Sequence, residues 1–200
     1  GSIEYIHYIS TVRMRDMKVM KKENPNIQVD FQGIRYNVRK TALRTYTYGE
    51  NEGQKYLEIG PTEGGQMTKQ YVKQLNKEYL CKVNAEHFSM GNSLSVWVTM
   101  KDGSPIPQED FEKITDFVEM FEYGRFNGMI DMYETRKATY QTDNGNYVEG
   151  GCKYTHVNNY PRFGTVEWIV NEVKNVGRTI EDTTKYVSNK KIVERAMAQL

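Results

Sequence analysis

Lys55-Tyr56-Leu57-Glu58-Ile59-Gly60-Pro61-Thr62-Glu63-Gly64-Gly65 is the stretch on which the fold turns. Its first five residues alternate polar and apolar side chains, the pattern of a strand with one buried face, and Gly60 to Gly65 read as a plain turn. From Met67 the period lengthens. Met67, Tyr71, Val72 and Leu75 recur at helical spacing, with Lys69, Lys73 and Lys77 elsewhere around the cylinder. Tyr79 to Val83 and Leu94 to Met100 alternate again, on either side of the polar connection 84–92. After the turn at Lys101 to Pro105, Pro107 suits a first helical turn, and Glu109, Asp110 and Glu112 suit the positive end of a helix dipole. Phe111, Ile114, Phe117, Val118 and Phe121 make that helix's stripe, and Met129 to Tyr133 give a last strand.

This order predicts an α+β fold: a ferredoxin-like βαββαβ sandwich over about residues 54–136, with two helices on one face of a four-stranded antiparallel sheet. Residues 1–53 would add a basic helix and strands that extend the sheet, and 137–200 a hairpin and two helices packed on the core. Alternation turns Leu57, Ile59, Cys81, Val83, Leu94, Val96, Val98 and Met100 toward the helices, and leaves Tyr56, Glu58, Lys82, Trp97, Asp131 and Tyr133 on the other face. With the first and third strands as central neighbours, Tyr56 and Trp97 are expected close together. That face resembles the RNA-recognition-type domain, in which aromatics on those two strands stack bases. The resemblance covers topology and two aromatic positions. The glycine-aromatic run of that family's third strand is replaced here by Leu94-Ser95-Val96-Trp97-Val98.

A chain of 200 residues with formal net charge +1 can bury a core and is not unusually basic. The charge is unevenly placed: residues 11–44 hold nine Lys or Arg against three acids, and 106–134 hold eight acids against two bases. No apolar run is long enough for a transmembrane helix, and the start lacks the apolar core of a signal peptide, so a cytoplasmic protein (host cytoplasm, if viral) is expected. The tyrosine-, lysine- and asparagine-rich texture suggests a viral or phage source. Cys81 and Cys152 have no ligand-like spacing, so free thiols are the simpler expectation and a structural zinc site is not indicated.

Thr11 to Lys22 reads as a basic, Met-rich amphipathic helix, suited either to packing on the sheet or to a membrane surface or partner groove. Ile27 to Phe31 and Ile34 to Arg39 alternate around Gln32-Gly33, and Leu43 to Tyr48 forms a third run grouping Arg44, Tyr46 and Tyr48 on one face. Basic side chains interleaved with tyrosine can neutralise phosphates and stack bases, and can equally be the solvated face of an antiparallel sheet. Asp143-Asn144-Gly145-Asn146 marks a hairpin. Val166 to Val173 read as a helix closed by Gly177, and Thr179 opens a last helix through Leu200.

Three functions compete. The leading expectation is a non-catalytic protein that binds RNA or single-stranded DNA: Tyr56 and Trp97 stack bases, Lys82 and Tyr133 flank them, and Arg35, Arg39, Lys40 and Arg44 hold phosphates. The second is a protein-interaction or assembly factor in which that face is buried, with a protein partner or a second copy engaged through the C-terminal helices. The third is a metal-dependent phosphoryl-transfer enzyme centred on Glu58 and Asp131, with Glu134 and Glu86-His87 nearby, related in sheet chemistry to polymerase palms and nucleotide cyclases. It has no DxD pair, and His7, His87 and His156 are scattered. His87-Phe88-Ser89 has the HxS form of two-histidine phosphoesterases without a second such motif. Tyr186 and Lys190 are spaced one residue too far for the tyrosine-lysine motif of replication nucleases. No catalytic residue, metal or cofactor is expected.

Overall fold

A computed structural model describes residues 25–127, 132–135 and 140–200, and for 124–127 and 132–135 the backbone alone. The expected basic helix at 11–22, His7, and Met129, Ile130 and Asp131 of the expected last strand lie outside the described residues.

The first described elements are β1 (Asn26–Phe31) and β2 (Ile34–Arg39), an antiparallel hairpin in full register from Asn26 opposite Arg39 to Phe31 opposite Ile34. Gln32 and Gly33 at its tip both have positive φ (50° and 78°), which a two-residue turn matched to the twist of the strands requires. A short 3-10 turn, Lys40–Ala42, leads into β3 (Leu43–Thr45), which pairs antiparallel with β4 (Lys55–Ile59). Helix α1 runs Pro61–Leu75, so the expected turn at 60–65 is its first turn. Pro61 suits a position whose N–H would be unpaired anyway. Within that helix Gly64 and Gly65 let it lie close on the sheet: a Cβ on Gly64 would stand 3.1 Å from the Leu94 side chain, and one on Gly65 3.1 Å from that of Val83.

β5 (Tyr79–Phe88) and β6 (Gly91–Met100) form a ten-pair antiparallel hairpin, and α2 (Gln108–Glu119) follows. A further hairpin, β7 (Gly124–Asn127) with β8 (Met132–Thr135), takes up part of the expected last strand. Then come β9 (Tyr140–Gln141), β10 (Tyr147–Gly150) and β11 (Tyr154–Asn158).

The pairing of residues 147–158 departs from the all-antiparallel sheet expected. β10 runs parallel to β4, with Tyr147 opposite Tyr56, and β11 runs parallel to β6, with Asn158 opposite Trp97. One sheet therefore has the order β3-β4-β10-β9 and another β11-β6-β5, and a single stretch of chain passes from the first to the second. The joint is made by a side chain. Gly151 N–H donates to Ile59 O at 2.8 Å, the Asn92 amide donates to Gly151 O at 2.9 Å, and Lys153 N–H donates to Asn92 Oδ1 at 2.7 Å. The Asn92 amide thus makes the two bonds that a peptide unit of a parallel strand would make. The Gln70 amide of α1 also bonds a strand backbone, but at a single residue of β2 as in an antiparallel pair, accepting from Asn37 N–H at 2.8 Å and donating to Asn37 O at 3.0 Å.

Leu57, Ile59, Leu94, Val96 and Val98 are buried against Met67, Val72, Ile114, Phe117 and Phe121, as alternation required, and Phe31, Tyr36 and Val38 of the first hairpin join the same core. The Tyr71 and Phe117 rings stack at 4.2 Å between the two helices. Burying each such large apolar side chain contributes about 1.5–3 kcal/mol. Cys81 and Cys152 are free thiols in or against this core, and burial pushes both up to about 12.

The C-terminal region has its own small cluster. Ile169, Val170 and Ala196 are buried among Val166, Trp168, Val187, Ile192 and Val193. α3 (Val166–Asn171) is capped by Thr165 and widens through Glu172–Val176 to Gly177, whose φ of 85° ends it as expected. The expected last helix is broken into α4 (Ile180–Thr184), capped by Thr179, and α5 (Lys190–Ala198), capped by Asn189. Asn189 accepts from Lys191 N–H at 3.1 Å, a local bond that competes with helix continuation. Among the described residues no helix is long and apolar enough to cross a membrane.

Candidate functional site

β4 turns Leu57 and Ile59 into the core, so Tyr56 and Glu58 stand on the outer face. Register then decides their company. Arg44 lies opposite Tyr56 on β3, while Tyr147 and Glu149 lie opposite Tyr56 and Glu58 on β10. Tyr46, just past β3, stacks on Tyr56 with ring centroids 4.2 Å apart and meets Tyr147 edge-on at 6.2 Å. Its hydroxyl donates to Glu149 Oε1 at 2.5 Å. The loop after Tyr46 is held by its own backbone: Gly53 N–H donates to Tyr46 O at 3.0 Å and Tyr46 N–H to Gln54 O at 2.9 Å. Loop and sheet together enclose a surface groove of about 760 Å³, walled by Tyr46, Tyr48, Tyr56, Glu50 and Glu149, with Arg44 at one side. The sequence grouped Arg44, Tyr46 and Tyr48. It missed Tyr147 and Glu149, although the Asn-Gly turn and the alternation Tyr147-Val148-Glu149 were available to place them.

The tyrosines sit in an acidic setting. Burial, then the hydrogen bond to Glu149, holds the Tyr46 phenol above its ordinary value, and burial followed by Glu58 does the same for Tyr56. Both stay neutral at ordinary pH. Arg44 Nε lies 3.0 Å from Glu58, so the groove's one arginine is already paired.

Two of the other three expected phosphate-binding groups are similarly occupied. Arg35 pairs with Asp30 at 2.9 Å. Arg39 donates from Nε and Nη2 to Glu63 Oε1, at 2.8 and 2.5 Å, and Glu63 is itself buried in the first turn of α1. Lys82 reaches Glu167 at 3.6 Å. Lys40 is exposed in the 3-10 turn. Arg39 and Arg44 border one small cleft, and Arg35, Lys40 and Lys82 are not part of its lining.

Trp97 is not a neighbour of Tyr56. Their partners, Asn158 and Tyr147, stand at opposite ends of the stretch that joins the two sheets. Trp97 lies opposite Lys82 on β5, its ring is covered by the Arg162 guanidinium at 4.8 Å, and Lys82 is engaged by Glu167 of α3. The expected close pairing of Tyr56 with Trp97 is therefore corrected: inserting 147–158 beside both β4 and β6 moves them apart. Tyr133 belongs to β8, away from both in the pairing, and its side chain lies outside what is described.

Glu58, Glu63, His87 and Asn92 border a smaller cleft of about 210 Å³ with Arg39 and Arg44, where β4 passes into α1. Among the described residues, no group of three or more His, Cys, Asp or Glu side chains is arranged to hold a metal. Asp131 lies outside the described residues and Glu134 is described by its backbone alone. His156, on β11 opposite Ser95, is exposed, as are Tyr186 and Lys190 of the C-terminal region.

No family model matches the chain, and comparison with curated proteins and with solved structures finds no match.

Proposed function

We propose that the protein is a non-catalytic interaction or assembly factor that receives a polypeptide partner on the tyrosine-walled outer face of the β3-β4-β10-β9 sheet. The observation that carries this reading is the Tyr46–Tyr56 stack at 4.2 Å, half-buried beside Glu58 and Glu149 and open to the groove. Tyrosines in such a place offer large apolar area with a polar rim, the composition favoured at protein interfaces. Among the described residues β3 is the outermost strand of its sheet, so an extended segment could add to its edge while its side chains enter the groove. On this reading the scaffold keeps a ferredoxin-like order of elements, strand, helix, two strands and helix over 55–119, with residues 147–158 paired beside its first and third strands.

The nucleic-acid reading is less well supported. Three of its four N-terminal cations are paired with carboxylates, and its Trp97 is covered. The test is a peptide array of twelve-residue segments probed with labelled wild type and Tyr56→Ser, beside anisotropy of labelled single-stranded RNA and DNA at two salt concentrations. The expected result is a set of peptides bound by the wild type and lost in the variant. Oligonucleotide binding that weakens steeply with salt, in the absence of any such peptides, overturns the proposal.

A further inference from the structure

We infer that the groove selects a basic segment, seating an arginine or lysine side chain of the partner against the Tyr46–Tyr56 stack. This deepens the proposal above and rests on it. Three features of the groove converge. First, aromatic ring faces carry negative potential and attract guanidinium or ammonium groups held within about 6 Å of the ring centre. Tyr46 and Tyr56, stacked with centroids 4.2 Å apart, both line the groove and supply such faces.

Second, the charge of the lining is one-sided. Arg44 is the only cation on the groove among the described residues, and Glu58, 3.0 Å away, satisfies it. Glu50 and Glu149 remain, the latter only partly engaged by the neutral Tyr46 hydroxyl. A phosphate entering here would meet two carboxylates, whereas a guanidinium would gain charge-assisted hydrogen bonds in addition to ring contact.

Third, the groove is preformed. Its loop is fixed by the Gly53–Tyr46 and Tyr46–Gln54 backbone bonds and by Gln54 N–H donating to Asn51 O at 2.9 Å, so little ordering cost falls on binding. The same chemistry also accounts for Tyr48, which stands 84% exposed at the rim where the stem of a long basic side chain would lie.

The experiment uses fluorescein-labelled Gly/Ser octapeptides carrying three Arg, three Lys, three citrulline or three Glu, titrated by anisotropy into wild type, Tyr56→Phe, Tyr56→Leu and Glu149→Gln. Citrulline keeps the shape of arginine and removes its charge. The inference expects the Arg peptide to bind at least about tenfold more tightly than citrulline, with affinity kept in Tyr56→Phe and reduced about fivefold in Tyr56→Leu. Glu149→Gln should weaken Arg and Lys peptides and leave citrulline unchanged. Circular dichroism of each variant establishes that it is folded. Equal binding of the Arg and citrulline peptides, lost in Tyr56→Leu, overturns the basic-segment inference and leaves the polypeptide reading standing. Binding of none of the peptides, with single-stranded RNA bound, overturns both.

Discussion

The outer faces of the two sheets obey the same alternation and meet different fates. On β4, Tyr56 and Glu58 look outward into an open groove; on β6, Trp97 looks outward and is covered by Arg162, with Lys82 beside it drawn to Glu167 of α3. Nothing local to either strand distinguishes them. What differs is the chain that arrives later: β10 brings Tyr147 and Glu149 alongside Tyr56, whereas β11 leads directly into the segment that closes over Trp97. Whether an outward-facing aromatic borders an open groove or is covered therefore depends on contacts far away in sequence.

The comparison assumes that both faces hang on one core, and Phe121→Ala is the strongest test of that. Phe121 is fully buried, and its backbone oxygen accepts from Cys152 N–H at 2.9 Å within the joining stretch. The substitution should cost about 3–5 kcal/mol in urea unfolding, with tyrosine and tryptophan signals moving in one transition. Two separate transitions would mean that the faces belong to independent units. Ile169→Ala should cost about 2–5 kcal/mol of local stability, since the C-terminal cluster has only three buried members. Hydrogen exchange should then rise across α3 to α5 while α1 and β6 keep their protection; equal loss everywhere would deny that the cover is a satellite. Smallest of the three, Tyr56→Leu should change stability by less than about 1.5 kcal/mol, because it removes one half-buried ring stack and no core contact. A loss as large as that of Phe121→Ala would make Tyr56 a core residue and close the groove as a candidate site.

Much of the scaffold was legible because it is written in short-range pattern. The β1–β2 hairpin, the apolar halves of β5 and β6, the stripe of α2, and the caps at Gly177 and Thr179 follow from period, turn chemistry and capping within a few residues, whereas the connection expected at 84–92 is corrected: β5 continues to Phe88 and β6 begins at Gly91, because cross-strand pairing carries polar residues into the ladder. The start of α1 was misread because Gly64-Gly65 looks like a turn when the close sheet that requires glycine is not in view. The passage of 147–158 between sheets had no local sign, since a parallel strand is joined to its partners by pairing alone. For the site, alternation correctly placed Tyr56 and Glu58 on one face and grouped Arg44 with Tyr46. It could not show that Arg39 would find Glu63 and Arg44 would find Glu58, because ion pairs between separate elements leave no spacing to read.

The Asn92 amide makes the junction between the sheets sensitive to a change of one atom. Its nitrogen faces the Gly151 carbonyl at 2.9 Å and its oxygen receives the Lys153 N–H at 2.7 Å, so the group must keep one donor and one acceptor in fixed order. Hydrolysis of that amide to a carboxylate would leave the size of the side chain almost unchanged and set two oxygens against each other. Asn92 precedes Ser93, a small neighbour that hinders such hydrolysis little. Such a change would act on the seam itself, where it would replace a donor by a second acceptor, and mass spectrometry would read it as a gain of about one dalton at that position.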